Sequence, residues 1–213
     1  MRATRLLTAV VAGFALAGCG GSPPAGSPPA TQSPTASVTS GPTASSPQVA
    51  GPQVGVPTDW KPPADASAAA KAAGLPMLGE EKLAVHYHAH LDVLVNGQHV
   101  PVPAGLGIDQ ARRLIAPLHT HDGSGVVHIE SATDVPFTLG QVFTEWGQPL
   151  RADQVGPVKL SAGQVLRVFR NGKPVTGDPA ALRLGAHDEI VVWVGPTDQQ
   201  PQVPSSYSFP PGE

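Results

Sequence analysis

The stretch "LAVHYHAHLDVLV", Leu83 to Val95, alternates over most of its length between core-seeking residues and residues that want water or a partner, and Asn-Gly follows at once. Such a period-two pattern is a strand, in which i, i+2 and i+4 share one face. A strand entering Asn96-Gly97 and leaving through "QHVPVP" predicts a two-residue type I′ hairpin, because both central residues must take positive φ. "QVLRVFRNGKPV" repeats the device at Asn171-Gly172, "VVHIES" supplies a further strand, and "DEIVVWVG" reads as a buried closing strand. Helical signals are few. Asp65 caps "ASAAAKAA", with Gly74 as its stop and Pro76 beyond it. Thr138 and Gln141 form a capping box ahead of Leu139, Val142, Phe143 and Trp146, and Gly147 ends that helix. One further turn is expected around Asp109 to Leu114 in "GIDQARRLIAPL". Together these predict an α+β fold, mainly antiparallel β, as a small sheet or barrel with one or two short helices.

Only part of the chain takes part. Arg2 and Arg5 precede an apolar run from Leu6 to about Ala17, too short to span a bilayer as a mature helix, and residues 1–18 read as a signal peptide. The run ends in "LAGC", which resembles the lipobox of bacterial lipoproteins. That resemblance implies cleavage before Cys19, lipidation of its sulfur, and anchorage to the extracytoplasmic face of the cell membrane. Residues 19–64 then read as the lipidated cysteine and a disordered tether, since a run of Pro, Ser, Thr, Ala and Gly cannot bury enough apolar area to offset its ordering entropy. A single histidine-rich domain is expected over 65–196, followed by a Pro/Ser-rich tail at 197–213. In that tail Tyr207 and Phe209 either dock on the core or stay solvated. The formal charge is −3, and removing residues 1–18 makes it −5. With acids and bases scattered there is no basic stripe for nucleic acid.

Six of the eight histidines fall in "HYHAH" and "HTHDGSGVVH". On a strand, His86, His88, His90 and Asp92 share one face, opposite Ala89, Leu91 and Val93. If "DGSG" turns the chain back symmetrically, His119 pairs with His128 and His121 with Val126, so that His119, His121 and His128 project together. Three imidazoles from two strands suit zinc or Cu(II), with one coordination position open. His86 and His90 stand about 13 Å apart along a strand, too far to share one ion, so HYHAH is expected to lend one or two ligands to the second cluster. Cys19 is the only cysteine, which leaves imidazole and carboxylate as donors for a divalent transition metal ion. Asp92, Asp122 and Glu130 are available as extra ligands, as partners of a ring N–H, or as a general base. His99 and His187, outside the clusters, read as structural or exposed.

"LHTHDGSG" is similar to the opening of the PHP phosphoesterases, and "HYHAHLD" to the cupin His-x-His followed by a carboxylate; the later motifs of both families are missing. Residues 86–196 more closely resemble a group of exported bacterial proteins that share "HAHLDVLVNG", "LHTHDGSGVVHIES" and "FTLGQVFTEWG". The resemblance implies an extracytoplasmic domain with these histidines as its hallmark and brings no activity with it. The expected function is capture, buffering or delivery of a divalent metal at the cell surface. Two other readings stay open: a metal-dependent hydrolase or oxidase with Glu130 or Asp122 as base, and a metal-free module whose histidines respond to pH.

Overall fold

The computed structural model describes residues 59–212; the signal peptide, Cys19 and most of the tether lie outside them. A first helix, α1 (Ala66–Ala72), starts where Asp65 accepts a hydrogen bond from the Ala68 amide, and Gly74 follows at φ 73°. Then come β1 (Val85–Val95) and β2 (Gln98–Val100), joined through Asn96 and Gly97 at φ 51° and 79°. A small hairpin, β3 (Ile108–Asp109) and β4 (Leu114–Ile115), precedes β5 (Leu118–His119) and β6 (Val126–Ser131). Helix α2 (Leu139–Glu145) carries the capping box of Thr138 and Gln141. The short strands β7 (Leu150–Arg151), β8 (Gln154–Val155) and β9 (Val158–Lys159) form a separate meander. The chain closes with β10 (Gln164–Arg170), β11 (Lys173–Val175) and β12 (Glu189–Pro196). The β10–β11 turn again sets Asn171 and Gly172 at positive φ, 51° and 74°.

The main sheet runs β11-β10-β12-β1-β6-β5, with β2 beside the C-terminal half of β1. It is an open α+β sheet rather than a barrel, and its pairings are antiparallel except that of β1 with β12. β1 is long enough to serve two sets of neighbours: residues 85–90 pair with β6, and residues 90–95 with β12. One face of the sheet is apolar. Leu91, Val93, Ile129 and Val192 bury there against Leu139 and Phe143 of α2 and Trp146 at its C-cap. The other face carries the histidines in its β1–β6–β5 part and a second apolar patch, Phe169, Val191 and Trp193, nearer β10.

Three expectations need correction. Asp109 to Leu114 is a hairpin turn and not a helical one. The Asp109 carboxylate accepts from the Arg112 amide at 3.0 Å and Arg113 sits at φ 56°, a side chain-to-backbone bond that competes with helix. The expected tight turn after His119 also fails to form. His119 does pair with His128, but the β5–β6 ladder ends there, because Thr120 turns away to exchange backbone bonds with Gly105 and Leu106 and leaves Val126 paired only with His90 on β1. Thr120 decides this, because its buried hydroxyl donates to Pro103 O at 2.7 Å and accepts from Leu106 N at 3.1 Å. Finally, the packed unit reaches beyond 65–196. Trp146 packs on Trp60 with the rings tilted 45° to each other, and donates its indole N–H to the Trp60 carbonyl. At the other end Tyr207 and Val203 dock on the sheet. Among the described residues, no helix is long and apolar enough to cross a membrane.

Candidate metal centre

Three adjacent strands build the site. The β1–β6 register sets His88 opposite His128 and His86 opposite Glu130, and the β5–β6 register sets His119 on the other side of His128. Because each pair lies at the same height on the same sheet face, two histidines of β1, one of β5 and two donors of β6 converge. The face they share is opposite the apolar core, yet His88, His119, His128 and Glu130 are all buried. A polar cluster inside the protein has replaced what would otherwise be a wet sheet surface.

The four donors at the β1–β6 ladder stand close enough together to hold one ion. His86 Nε2 lies 3.2 Å from His88 Nε2, which lies 3.0 Å from His128 Nδ1. Glu130 Oε1 closes the set at 3.4 Å from His86 Nε2 and 3.8 Å from His128 Nδ1. Four ligands held about 2.0 Å from a tetrahedral ion stand about 3.3 Å from one another. The observed separations bracket that value, and the four ligand atoms all lie within 4.8 Å of one another. His86 is the exposed member and faces solvent, while the other three are enclosed.

In a second group, His119, His121 and His128, the ligand atoms likewise lie within 4.8 Å of one another. Here His119 is decisive. Its Nδ1 faces the Ala116 carbonyl at 3.0 Å, so that nitrogen carries the proton and donates. Nε2 is therefore a bare lone pair, and it is buried without any hydrogen-bond partner. Fixing one ring nitrogen on a carbonyl so that the other is free is how proteins orient a metal-binding imidazole. Glu130 Oε2 is likewise buried and unpartnered. Two orphaned acceptors beside five imidazoles leave lone pairs that can take a cation. The histidines are suited to it: burial pushes His119 down to about 4, and burial together with His119 and His88 pushes His128 down to about 3. His88 is lowered as well, by burial and then by His86. Neutral rings at physiological pH have no proton to displace before ligating. Burial raises the pKa of Glu130, a penalty that a divalent ion beside it reverses.

The structure separates the remaining candidates. His90 belongs to neither group, as its distance from His86 along β1 predicts. It forms a third group with Asp92 and Glu189, where Nδ1 lies 2.8 Å from Glu189 Oε2 and Nε2 donates to Ser124 O at 2.9 Å. Burial disfavours a charged His90, but the hydrogen bond and charge of Glu189 outweigh it and hold its pKa above the ordinary value. Both ring nitrogens are thus engaged within the protein. Asp92 turns to His99 Nε2 at 3.0 Å, which gives that exposed histidine a partner. Asp122 joins no group; its exposed carboxylate accepts from the Ser124 amide at 2.9 Å. His187 packs against Phe209, and its amide donates to the His88 carbonyl. Two residues that sequence reasoning missed are Glu189 and Glu81, the latter grouped with His119 and Glu130. Glu189 sits inside an otherwise apolar strand, and a charge at the head of "EIVVWV" was the available signal.

Two surface clefts of 180 and 390 Å³ lie elsewhere, lined by none of these histidines. The histidine and carboxylate clusters can hold a metal ion. No family model matches the chain, and no curated protein or solved structure matches it.

Proposed function

We propose that this protein is a lipid-anchored, extracytoplasmic metal-binding protein that captures, buffers or delivers a divalent transition ion at the cell surface. The observation that carries the reading is the set His86 Nε2, His88 Nε2, His128 Nδ1 and Glu130 Oε1, whose spacing matches a tetrahedral shell. Three imidazoles and one carboxylate, with no thiolate, suit Zn(II) or Cu(II). Glu130 acts in this reading as a ligand and not as a base. Burial of three of the four donors supports holding an ion over turning over a substrate at it. The lipobox-like "LAGC" and the Pro/Ser/Thr tether support the location: Cys19 would fix the chain to the membrane, and the tether would let the site sample the space outside it.

The test uses protein purified without a histidine tag. Metal content after dialysis against Zn(II) or Cu(II) is compared with that of His88→Ala and Glu130→Gln, alongside thermal melts. Wild type should retain stoichiometric metal and melt higher with it, by an amount that grows with free ion concentration. Wild type that retains no metal and gains no stability would sink the proposal. Globomycin-sensitive processing and labelling of Cys19 by a fatty-acid analogue test the anchor separately.

A further inference from the structure

We infer that the histidine cluster is a two-ion centre, in which a second divalent transition ion sits on His119 and His121 and His128 bridges it to the first. The inference rests on the metal-binding reading above and adds the number and arrangement of ions. Donor supply is the first argument. A tetrahedral ion on His86, His88, His128 and Glu130 is complete, yet His119 and His121 remain beside it. His86 and His88 share no group with His119 and His121, so no ion with bonds of about 2 Å takes all of them. His128 is the one histidine common to both groups.

Ring geometry is the second argument. The two nitrogens of an imidazole diverge, so one ring never gives both to a single ion. His128 Nδ1 faces His88 and Glu130, at 3.0 and 3.8 Å, which leaves Nε2 for the other side. The His128 ring also lies against the second group, stacked on that of His119 at 5.2 Å and 14° and edge-on to that of His121 at 4.5 Å. His119 Nε2 is buried, deprotonated and without a hydrogen-bond partner, and the first ion, already served, does not need it. Loading both sites removes the single N–H proton of His128 to solvent, since each nitrogen then gives its lone pair to an ion. The second ion has three protein ligands and one side open next to exposed His121, so it takes water or a small anion as its fourth ligand.

Cu(II) is the probe, because two copper ions joined through one imidazolate couple their spins. Untagged protein is titrated with Cu(II) and followed by metal content after dialysis and by electron paramagnetic resonance. The expected result is two ions per chain, with integrated signal rising over the first equivalent and falling over the second. His119→Gln with His121→Gln should hold one uncoupled ion, and so should His86→Gln with His88→Gln; near-UV circular dichroism confirms that both fold. His128→Gln should abolish the coupling. Wild type that saturates at one ion overturns the inference while leaving the metal-binding reading intact, and wild type that holds none overturns both. Two uncoupled ions, or a second ion that survives His119→Gln with His121→Gln, also overturn it.

Discussion

Tyr207 lies flat on His90, ring centroids 3.8 Å apart and planes within 7°. The contact joins the C-terminal segment to the middle of β1 more than a hundred residues earlier, and it does not stand alone. The Arg167 guanidinium donates to the Thr197 and Gln199 carbonyls, Val203 packs on the Phe169–Trp193 patch, and Phe209 meets both Tyr207 and His187. The segment therefore covers the sheet face that carries His90. Replacing Tyr207 by Ala should lower stability by about 1–2 kcal/mol, the stacking contribution plus the ring's share of buried area. Urea unfolding measures this, and a midpoint equal to that of wild type would show that the tail is not held.

Glu145 gives a pH dependence of known sign. Its side chain is 2% exposed on α2 with Oε1 unpartnered, and burial pushes its pKa from 4.5 up to about 9. Between those values the folded chain holds a proton that the unfolded chain has lost. Its contribution is therefore complete at low pH and declines as pH rises through 4.5 toward about 9. Glu145→Gln removes that slope. Its melting temperature should exceed that of wild type at about pH 8 and converge with it at about pH 4. Thermal melts across this range decide the matter; parallel curves would mean that the carboxylate has a charged partner.

Asp109 works in the opposite sense. The Ser67 hydroxyl and the Arg112 side chain and amide hold it down to about 2 from 3.8, so its contribution is present above 3.8 and is lost as pH falls through about 2. The Asp109→Asn variant should be less stable than wild type at neutral pH and show a shallower loss in that acid window. Acid titration followed by near-UV circular dichroism checks both, and an unchanged acid limb would separate Asp109 from acid unfolding.

Gly107 tests how tightly the β5 side of the site is built. It sits at φ 69°, and an added Cβ would stand 2.2 Å from the Leu118 carbonyl oxygen and 3.1 Å from His119 Cβ. Gly107→Ala should cost about 1–3 kcal/mol from backbone conformation alone, with the backbone clash added to it. The same substitution should weaken metal retention, because His119 must move. A variant as stable as wild type would show that the chain here is free to shift.

Much of the fold was legible in the residues themselves. Period-two alternation and Asn-Gly pairs are local signals, and they settled β1, β2, β10, β11 and the sharing of one face by His86, His88 and His90. The capping residues Asp65 and Thr138 settled both helices in the same way. Even the pairing of His119 with His128 followed from counting through "DGSG", although the turn itself was decided by Thr120, whose partners lie in the chain at Pro103 and Leu106.

The tertiary structure alone decided which strands became neighbours. Nothing local tells β1 to lie parallel to β12, and that pairing is what brings Glu189 to His90. The antiparallel pairing of β1 with β6 likewise turned Glu130 from one available carboxylate among three into a donor 3.4 Å from His86. Side-chain direction along a strand is fixed by a few consecutive residues, so the sequence by itself determined which donors face the same way. Their distance from one another depends on pairings between segments far apart in the chain, and only the assembled sheet sets it.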